Sequence, residues 1–285
     1  MKSSTQPIKE TIAKFNRMIR VFNLFLVVLI FLAISQKVHA QATPAKIDVP
    51  DWALPGSATH TQVPPPADFH RVSRTDKIPI GIFEGQTDVG AALVPGSSGY
   101  NVATNQYTIT SAGYNVWYTR DEFRYVWKKM SGDISLAADI SFPDTTGYDD
   151  RKAFVIIRQS LDDDSKEAVV ALHGGGLLHL AWRPGKGESM KEMRVNRRKG
   201  IPDPKGPDGL ALPNAKRIGI EKHGDSFAVF ISMHGEPMHQ FGDPITLHID
   251  GSFYAGIGFC SHLPATPDTA VLSNVVLENA AGKVR

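Results

Sequence analysis

The chain has 285 residues, with 31 basic and 29 acidic side chains for a net charge of +2, and it contains one cysteine. Residues 1–40 hold six of the basic residues and one of the acidic ones, so the remaining 245 residues carry a net charge of −3. The positive excess therefore belongs to the N-terminal segment, and no nucleic-acid partner is predicted. A single thiol excludes an internal disulfide, so stability must come from a hydrophobic core.

The first forty residues have the layout of a secretory signal peptide. A basic stretch from Lys2 to Arg20 precedes a fourteen-residue apolar run from Val21 to Ile34, and a small-x-small pattern ends at Ala40. The alternative is a membrane anchor, but fourteen helical residues span only about 21 Å, less than the roughly 30 Å hydrocarbon core. We predict cleavage after Ala40, a periplasmic or secreted location, and no stable membrane span in the mature protein.

Residues 41–78 are rich in proline and are predicted to form an extended arm. Prolines such as Pro44 and Pro64 lack a backbone donor and favour extended conformations. Trp52 and Phe69 are spaced so that they could hold the arm against the rest of the protein. The alternative is a disordered tether.

From residue 79 to residue 279, short apolar or alternating segments follow one another between turns, with no helical pattern. His223-Gly224-Asp225, between two alternating runs, is typical of a hairpin. This pattern favours an all-β domain of two packed antiparallel sheets, followed by a tail at residues 280–285. The predicted strands are Ile80–Phe83, Gln106–Ser111, Glu122–Lys129, Asp133–Phe142, Ala153–Ser160, Lys166–His173, Leu177–Arg183, Lys191–Asn196, Ala215–Lys222, Ser226–Met233, Ile245–Ile249, Phe253–Cys260 and Thr269–Leu277.

The period of two along a strand assigns side chains to faces. Phe123, Tyr125 and Trp127 are predicted to face the core, with Arg124 and Lys128 on the opposite face. Cys260 lies in an apolar run and is interpreted as a small buried hydrophobic residue rather than a nucleophile.

Two other strands carry charged side chains in apolar surroundings. In Leu177–Arg183, His179 and Arg183 share one face, and Leu178, Leu180 and Trp182 share the other. Arg158 stands in the apolar strand Ala153–Ser160 and must find a partner or a groove.

The segment His173-Gly174-Gly175-Gly176 matches the oxyanion-hole sequence of lipases and esterases. That chemistry also needs a G-x-S-x-G nucleophile elbow, which this sequence lacks. The glycines are better explained as a tight turn between two strands.

The sequence contains no spaced metal-ligand pattern. Asp162-Asp163-Asp164-Ser165 lacks the ligand spacing of a Ca²⁺ loop and is interpreted as a solvated turn, although a structural Ca²⁺ remains an alternative. No cofactor is predicted. The sequence also lacks the paired carboxylates on one strand face that sandwich-fold glucanases use, so no catalytic residue is assigned.

Three segments resemble a known family: NVWYTRDEFRYVWKKMSGD, RKAFVIIRQSLDDDS and LHGGGLLHLAWR. They are similar to the concanavalin A-like jelly-roll domain of bacterial exported proteins of unknown function. That domain is also found attached to TolB-like propellers in proteins called biopolymer transporters. The resemblance covers about residues 80–277, and it implies a two-sheet antiparallel jelly-roll sandwich of lectin or glucanase architecture with an exported location. It brings no catalytic residues, and this chain has no propeller.

We therefore predict a non-catalytic exported module that binds a glycan or cell-envelope polymer on one sheet face. One alternative is a polysaccharide-active hydrolase or lyase, and a second is a structural protein-interaction domain. Ion pairing with Glu122, Glu167 or the acidic turns is an alternative role for the arginines. The predicted ligand-binding residues are Arg124, Arg158, His179, Arg183, Trp117 and Tyr118.

Overall fold

The computed structural model of the protein describes residues 71–195 and 215–284. The predicted signal peptide, the arm up to residue 70 and most of the loop after residue 195 lie outside these ranges. The described residues form sixteen β-strands and no helix. Accordingly, the two described ranges contain no helical segment that could cross a membrane.

The strands are β1 Arg74–Asp76, β2 Gly85–Val89, β3 Ser97–Asn101, β4 Gln106–Ser111, β5 Asn115–Trp117, β6 Arg120–Ser131, β7 Ile134–Ser141, β8 Lys152–Arg158, β9 Glu167–His173, β10 Leu178–Arg183, β11 Lys191–Arg194, β12 Arg217–His223, β13 Ser226–Ser232, β14 His239–Thr246, β15 Ser252–Cys260 and β16 Asp268–Glu278.

All strand pairs are antiparallel, and they form two sheets. The nine-stranded sheet has the order β1-β2-β6-β15-β8-β9-β10-β11, with β5 paired to β6, and the seven-stranded sheet has the order β14-β13-β12-β7-β16-β4-β3. The pairs β2–β6, β6–β15, β15–β8, β12–β7, β7–β16 and β16–β4 join strands that are distant in sequence, as in a jelly roll. The predicted fold, an all-β jelly-roll sandwich of concanavalin A-like type, is confirmed.

The main core lies between the two sheets and is built from alternate residues of their strands. Val155 and Ile157 of β8 and Ile257 of β15 face Leu136 and Ile220 of the other sheet, and each of the five is fully buried. Burial of a side chain of this size stabilises the fold by about 1.5–3 kcal/mol.

A second apolar cluster covers the other, outer face of the nine-stranded sheet. Phe123, Tyr125 and Trp127 belong to this cluster, together with Phe154 and Ile156 of β8. The prediction that the three aromatic residues are buried is confirmed, but their assignment to the core between the sheets is wrong. Periodicity separates two faces, and it cannot tell which face meets the other sheet when both faces are covered.

The outer face is covered in part by the hairpin of β5 and the start of β6. Val116 of this hairpin belongs to the outer cluster, and Trp117 stacks on His179 of β10 with ring centroids 5.5 Å apart. The backbone N–H of Asp121 donates to the carbonyl of Asp163 at 2.7 Å, which ties the hairpin to a neighbouring loop.

Two predicted turns are confirmed, one predicted strand is wrong, and the predicted strand Ile245–Ile249 is displaced, since β14 runs from His239 to Thr246. Gly174–Gly176 link β9 to β10, with Gly176 at φ +88°, and Gly224, at φ +54°, lies in the hairpin between β12 and β13. Ile80–Phe83 is a tight turn instead of a strand, because Gly81 takes a left-handed conformation and only Ile80 and Phe83 bridge.

Candidate functional site

A cavity of about 260 Å³ opens between the β5 hairpin and one end of the outer face of the nine-stranded sheet. It lies where β8 begins, β9 ends, and β10 and β11 pair. Six of the polar side chains around it are almost fully buried: Asn115, Asp150, Lys152, His173, His179 and His262. The other lining residues are Trp117, Tyr118, Leu177, Glu192 and Arg194.

Strand register brings the cavity residues together. Lys152 at the start of β8 is the partner of His173 at the end of β9. On the next strands, His179 is the partner of Arg194. Because alternate residues share a face, these side chains line one end of the sheet, beside the apolar positions Phe154 and Ala171.

Asn115 and Lys152 form the floor on the β5 side. The Lys152 ammonium donates to Asn115 Oδ1 at 2.6 Å, and the same oxygen accepts the backbone N–H of Val116 at 2.9 Å. A buried cation thus lies against the cavity and donates to an amide oxygen of its floor.

His179 connects the aromatic and the charged parts of the wall. Its ring stacks on Trp117, and its Nδ1 lies 3.0 Å from Glu192 Oε2. Burial lowers the pKa of His179, so the neutral ring is favoured, whereas the hydrogen bond from His179 holds the pKa of Glu192 at about 2. With Glu192 ionised, Nδ1 carries the ring proton and donates it to the carboxylate.

Backbone strain is concentrated at this cavity. Tyr118 and His262 have φ angles of +54° and +66°, and they are two of the five non-glycine residues with positive φ in the described part of the chain. A bulky residue in this region costs roughly 1–2 kcal/mol. His262 is held between Tyr114 and Tyr148, with ring centroids 5.3 and 5.5 Å away. Strain held in place by packing at a polar cavity is typical of binding and catalytic sites.

Arg158 and Arg183 do not line this cavity. Both side chains have no exposed surface and form a buried ion cluster with Asp121 and Glu167. Arg183 donates to both oxygens of Asp121 at 2.7 Å, and Arg158 binds Asp121 Oδ2 at 2.7 Å and also binds Glu167.

The two carboxyl groups of this cluster have opposite pKa shifts. Burial alone would raise the pKa of Asp121, but the charges of Arg183 and Arg158 outweigh it and lower that pKa. For Glu167, burial dominates and raises its pKa to about 8. The cluster therefore joins the hairpin to the sheet through Asp121, which remains ionised.

Arg124 lies apart from both the cavity and the buried ion cluster. Its guanidinium binds Asp88 Oδ1 at 3.2 Å, Gln86 Oε1 at 2.8 Å and Ser98 Oγ at 3.1 Å. Ser98 belongs to β3 of the seven-stranded sheet, so Arg124 links the two sheets at their edge. Of the six predicted ligand-binding residues, Trp117, Tyr118 and His179 come together at the cavity, and the three arginines are bound to acidic or polar groups elsewhere.

Sequence reasoning missed several cavity residues. Asn115, Asp150 and His262 lie in loops or at strand ends, where no periodicity indicates a direction. Lys152 and His173 could have been found, because each extends the face of its strand that carries the outer cluster.

Asp162 and Asp164 form ion pairs with Lys186, and Asp163 between them is buried. Lys186 Nζ donates to Asp162 Oδ2 at 2.6 Å and to Asp164 Oδ1 at 2.5 Å. No group of three or more His, Cys, Asp or Glu side chains in residues 71–195 and 215–284 has the arrangement of a metal site.

The strand order and register define the class of this protein as a concanavalin A-like jelly-roll sandwich. No family model matches the chain, and no curated protein matches it significantly. Similar solved structures include a functionally unknown protein from Saccharomyces cerevisiae, at 10% identity and TM-score 0.46 over 65% of this chain and 93% of that chain. A carbohydrate-binding module from Bacillus subtilis has 16% identity and TM-score 0.39 over 65% and 92%, and an alginate lyase from Klebsiella pneumoniae has 12% identity and TM-score 0.41 over 65% and 85%. These likenesses are too distant to transfer an activity.

Proposed function

We propose that the protein is a glycan-binding module whose ligand occupies the cavity between the β5 hairpin and the nine-stranded sheet. The observation that carries this proposal is the convergence of six buried polar side chains and one tryptophan on a single cavity of about 260 Å³. A concave site with several convergent polar side chains beside an aromatic ring is the usual form of a small-ligand pocket, and a ligand rich in hydroxyl groups matches such a lining.

The cavity has the two kinds of group that sugar recognition uses. Trp117 offers an indole that is still partly exposed, and Asn115, Lys152 and Arg194 offer directional donors. We also infer export to the periplasm or the cell exterior from residues 1–40, with an envelope or extracellular polymer as ligand. We further propose that the chain is related to the concanavalin A-like domains of bacterial exported proteins of unknown function.

A glycan array followed by calorimetry on the best ligand tests the proposal. Trp117→Ala should weaken binding about fivefold or more, because loss of an aromatic contact of this kind costs on the order of 1 kcal/mol or more. Tyr100→Ala is the matched control, since Tyr100 belongs to β3 of the other sheet. Absence of binding on neutral and acidic panels, or an equal effect of the two variants, would overturn the proposal.

A second candidate function is a polysaccharide lyase or hydrolase acting at the same cavity. The strained Tyr118 and the buried His179 favour it, because proton transfer needs a phenol or an imidazole held close to the reacting atoms. Incubation of bound polysaccharides followed by mass spectrometry decides between the two. New reducing ends or unsaturated products, lost in Tyr118→Phe, would establish the enzyme.

A further inference from the structure

The donors and acceptors around the cavity indicate the chemical class of its ligand. We propose that the cavity binds an acidic glycan and that a carboxylate of this glycan is held by Asn115, Lys152 and Arg194. This inference rests on glycan binding at the cavity and adds the charge of the sugar.

The orientation of the Asn115 amide is fixed by its neighbours. Its oxygen accepts from two groups that can only donate, the Lys152 ammonium and the backbone N–H of Val116. The amide nitrogen must therefore point the other way, and it makes no hydrogen bond to any residue in the described ranges. Asn115 is only 4% exposed and lines the cavity, so its two N–H groups are donors that a ligand in the cavity can satisfy.

Glu192, one of the two carboxylates of the wall, is already engaged. It accepts from His179 on one oxygen, and its other oxygen accepts Arg194 Nε at 2.7 Å and lies 2.6 Å from Arg194 Nη2. The charge of Glu192 thus faces a cation and an imidazole. Asp150, the second carboxylate, lies with its Oδ1 3.5 Å from His173 Nδ1.

Two further donors lie at the opening of the cavity. Arg194 uses Nε and Nη2 for Glu192, and its Nη1 makes no hydrogen bond within the described part of the chain. The Trp117 indole N–H is a further donor without a described partner. His179 Nε2 is a complementary acceptor, because Nδ1 of that ring already donates to Glu192. A uronate matches this set, with its carboxylate on the donors and a hydroxyl on His179 Nε2.

The test compares oligogalacturonate with the same oligosaccharide after reduction of its carboxyl groups, by calorimetry at low and moderate salt. The wild type should bind the acidic form at least about tenfold more tightly, since a hydrogen bond to a charged group is worth more than a neutral one. Asn115→Asp should reduce that preference about tenfold or more, because it replaces the two free donors with an acceptor. The variant retains acceptors for Lys152 and Val116, so the fold is preserved.

Asn101→Asp is the matched control for the added charge, because Asn101 is exposed on β3 of the other sheet. It should leave both affinities unchanged. Arg194→Gln, at an exposed side chain, should also reduce the preference for the acidic form. Equal binding of the acidic and reduced forms, or an unchanged preference in both cavity variants, overturns the inference and leaves glycan binding intact. Failure of every neutral and acidic glycan to bind overturns the proposed function itself.

Discussion

Asp121 and Arg183 form a two-point ion pair in which neither side chain has any exposed surface. Arg183 Nη2 lies 2.7 Å from Asp121 Oδ1, and Arg183 Nη1 lies 2.7 Å from Asp121 Oδ2. Asp121 belongs to the hairpin that carries Trp117 and Tyr118, and Arg183 belongs to the sheet beneath it. The pair therefore fixes the position of one wall of the cavity relative to the other.

The first prediction concerns this pair. Asp121→Asn should lower the free energy of unfolding by about 3–5 kcal/mol, because it leaves Arg158 and Arg183 with one buried carboxyl group between them. Denaturant unfolding measures the loss. The control is Asp162→Asn at an exposed ion pair with Lys186, where a change of at most about 1 kcal/mol is expected. Equal losses in the two variants would contradict the role of Asp121.

The second prediction uses Glu122, on the other face of the same hairpin. Burial raises the pKa of Glu122 from 4.5 to about 7, and the Arg71 charge 3.6 Å away offsets only part of this effect. The folded state holds a proton that the unfolded chain releases at a lower pH. The contribution to stability is therefore full below about pH 4.5 and is lost as the pH rises to about 7.

Glu122→Gln should remove the part of the pH dependence that belongs to Glu122, leave the part that belongs to Glu167, and make the protein more stable than the wild type above pH 7 by up to about 3 kcal/mol. Thermal unfolding between pH 4.5 and pH 8 provides the measurement. Glu278→Gln, at an exposed glutamate at the end of β16, should leave the pH profile unchanged. A wild-type profile that is retained in Glu122→Gln would show that another group titrates.

The sequence predicted the sandwich well, because alternation and turn glycines are local signals. The faces of β10 are an example, since Leu178 and Leu180 lie in the core between the sheets and Ala181 lies in the outer cluster. The assignment of Phe123 to the core between the sheets was wrong. The alternating pattern shows that Phe123 is buried, but it does not show which face of the strand meets the second sheet.

The site was harder to predict, and the arginines show why. Arg158 and Glu167 are direct partners across β8 and β9, but Asp121 reaches them from a hairpin whose path over the sheet is a tertiary feature. The alternative of an ion pair with Glu167 is correct for Arg158, but a strand pattern does not indicate that Asp121 is the second partner. Asn115 and His262 contribute to the cavity from places where the chain leaves the sheet, and their direction is set by packing.

The third prediction isolates backbone conformation from packing. Gly224 has φ +54°, and a Cβ there would meet no atom within 4 Å. Gly224→Ala should therefore cost about 1 kcal/mol of unfolding free energy from the left-handed conformation alone. Gly99→Ala is the control, since Gly99 has the same open space without a positive φ, and it should be neutral or slightly stabilising. Equal effects of the two substitutions would contradict this account of the hairpin.

The last prediction concerns Cys260, the only thiol of the chain. It is fully buried at the end of β15, as the sequence predicted, and burial raises its pKa to about 11. Because the thiolate is the reactive form, alkylation of the folded protein at pH 8 should be at least about a hundredfold slower than alkylation of the unfolded chain. Mass spectrometry after iodoacetamide treatment, with and without denaturant, measures both rates. Rapid labelling of the folded protein would contradict the prediction and show that the outer cluster opens readily. An intermediate labelling rate that rises with mild denaturant would measure how often the outer cluster opens.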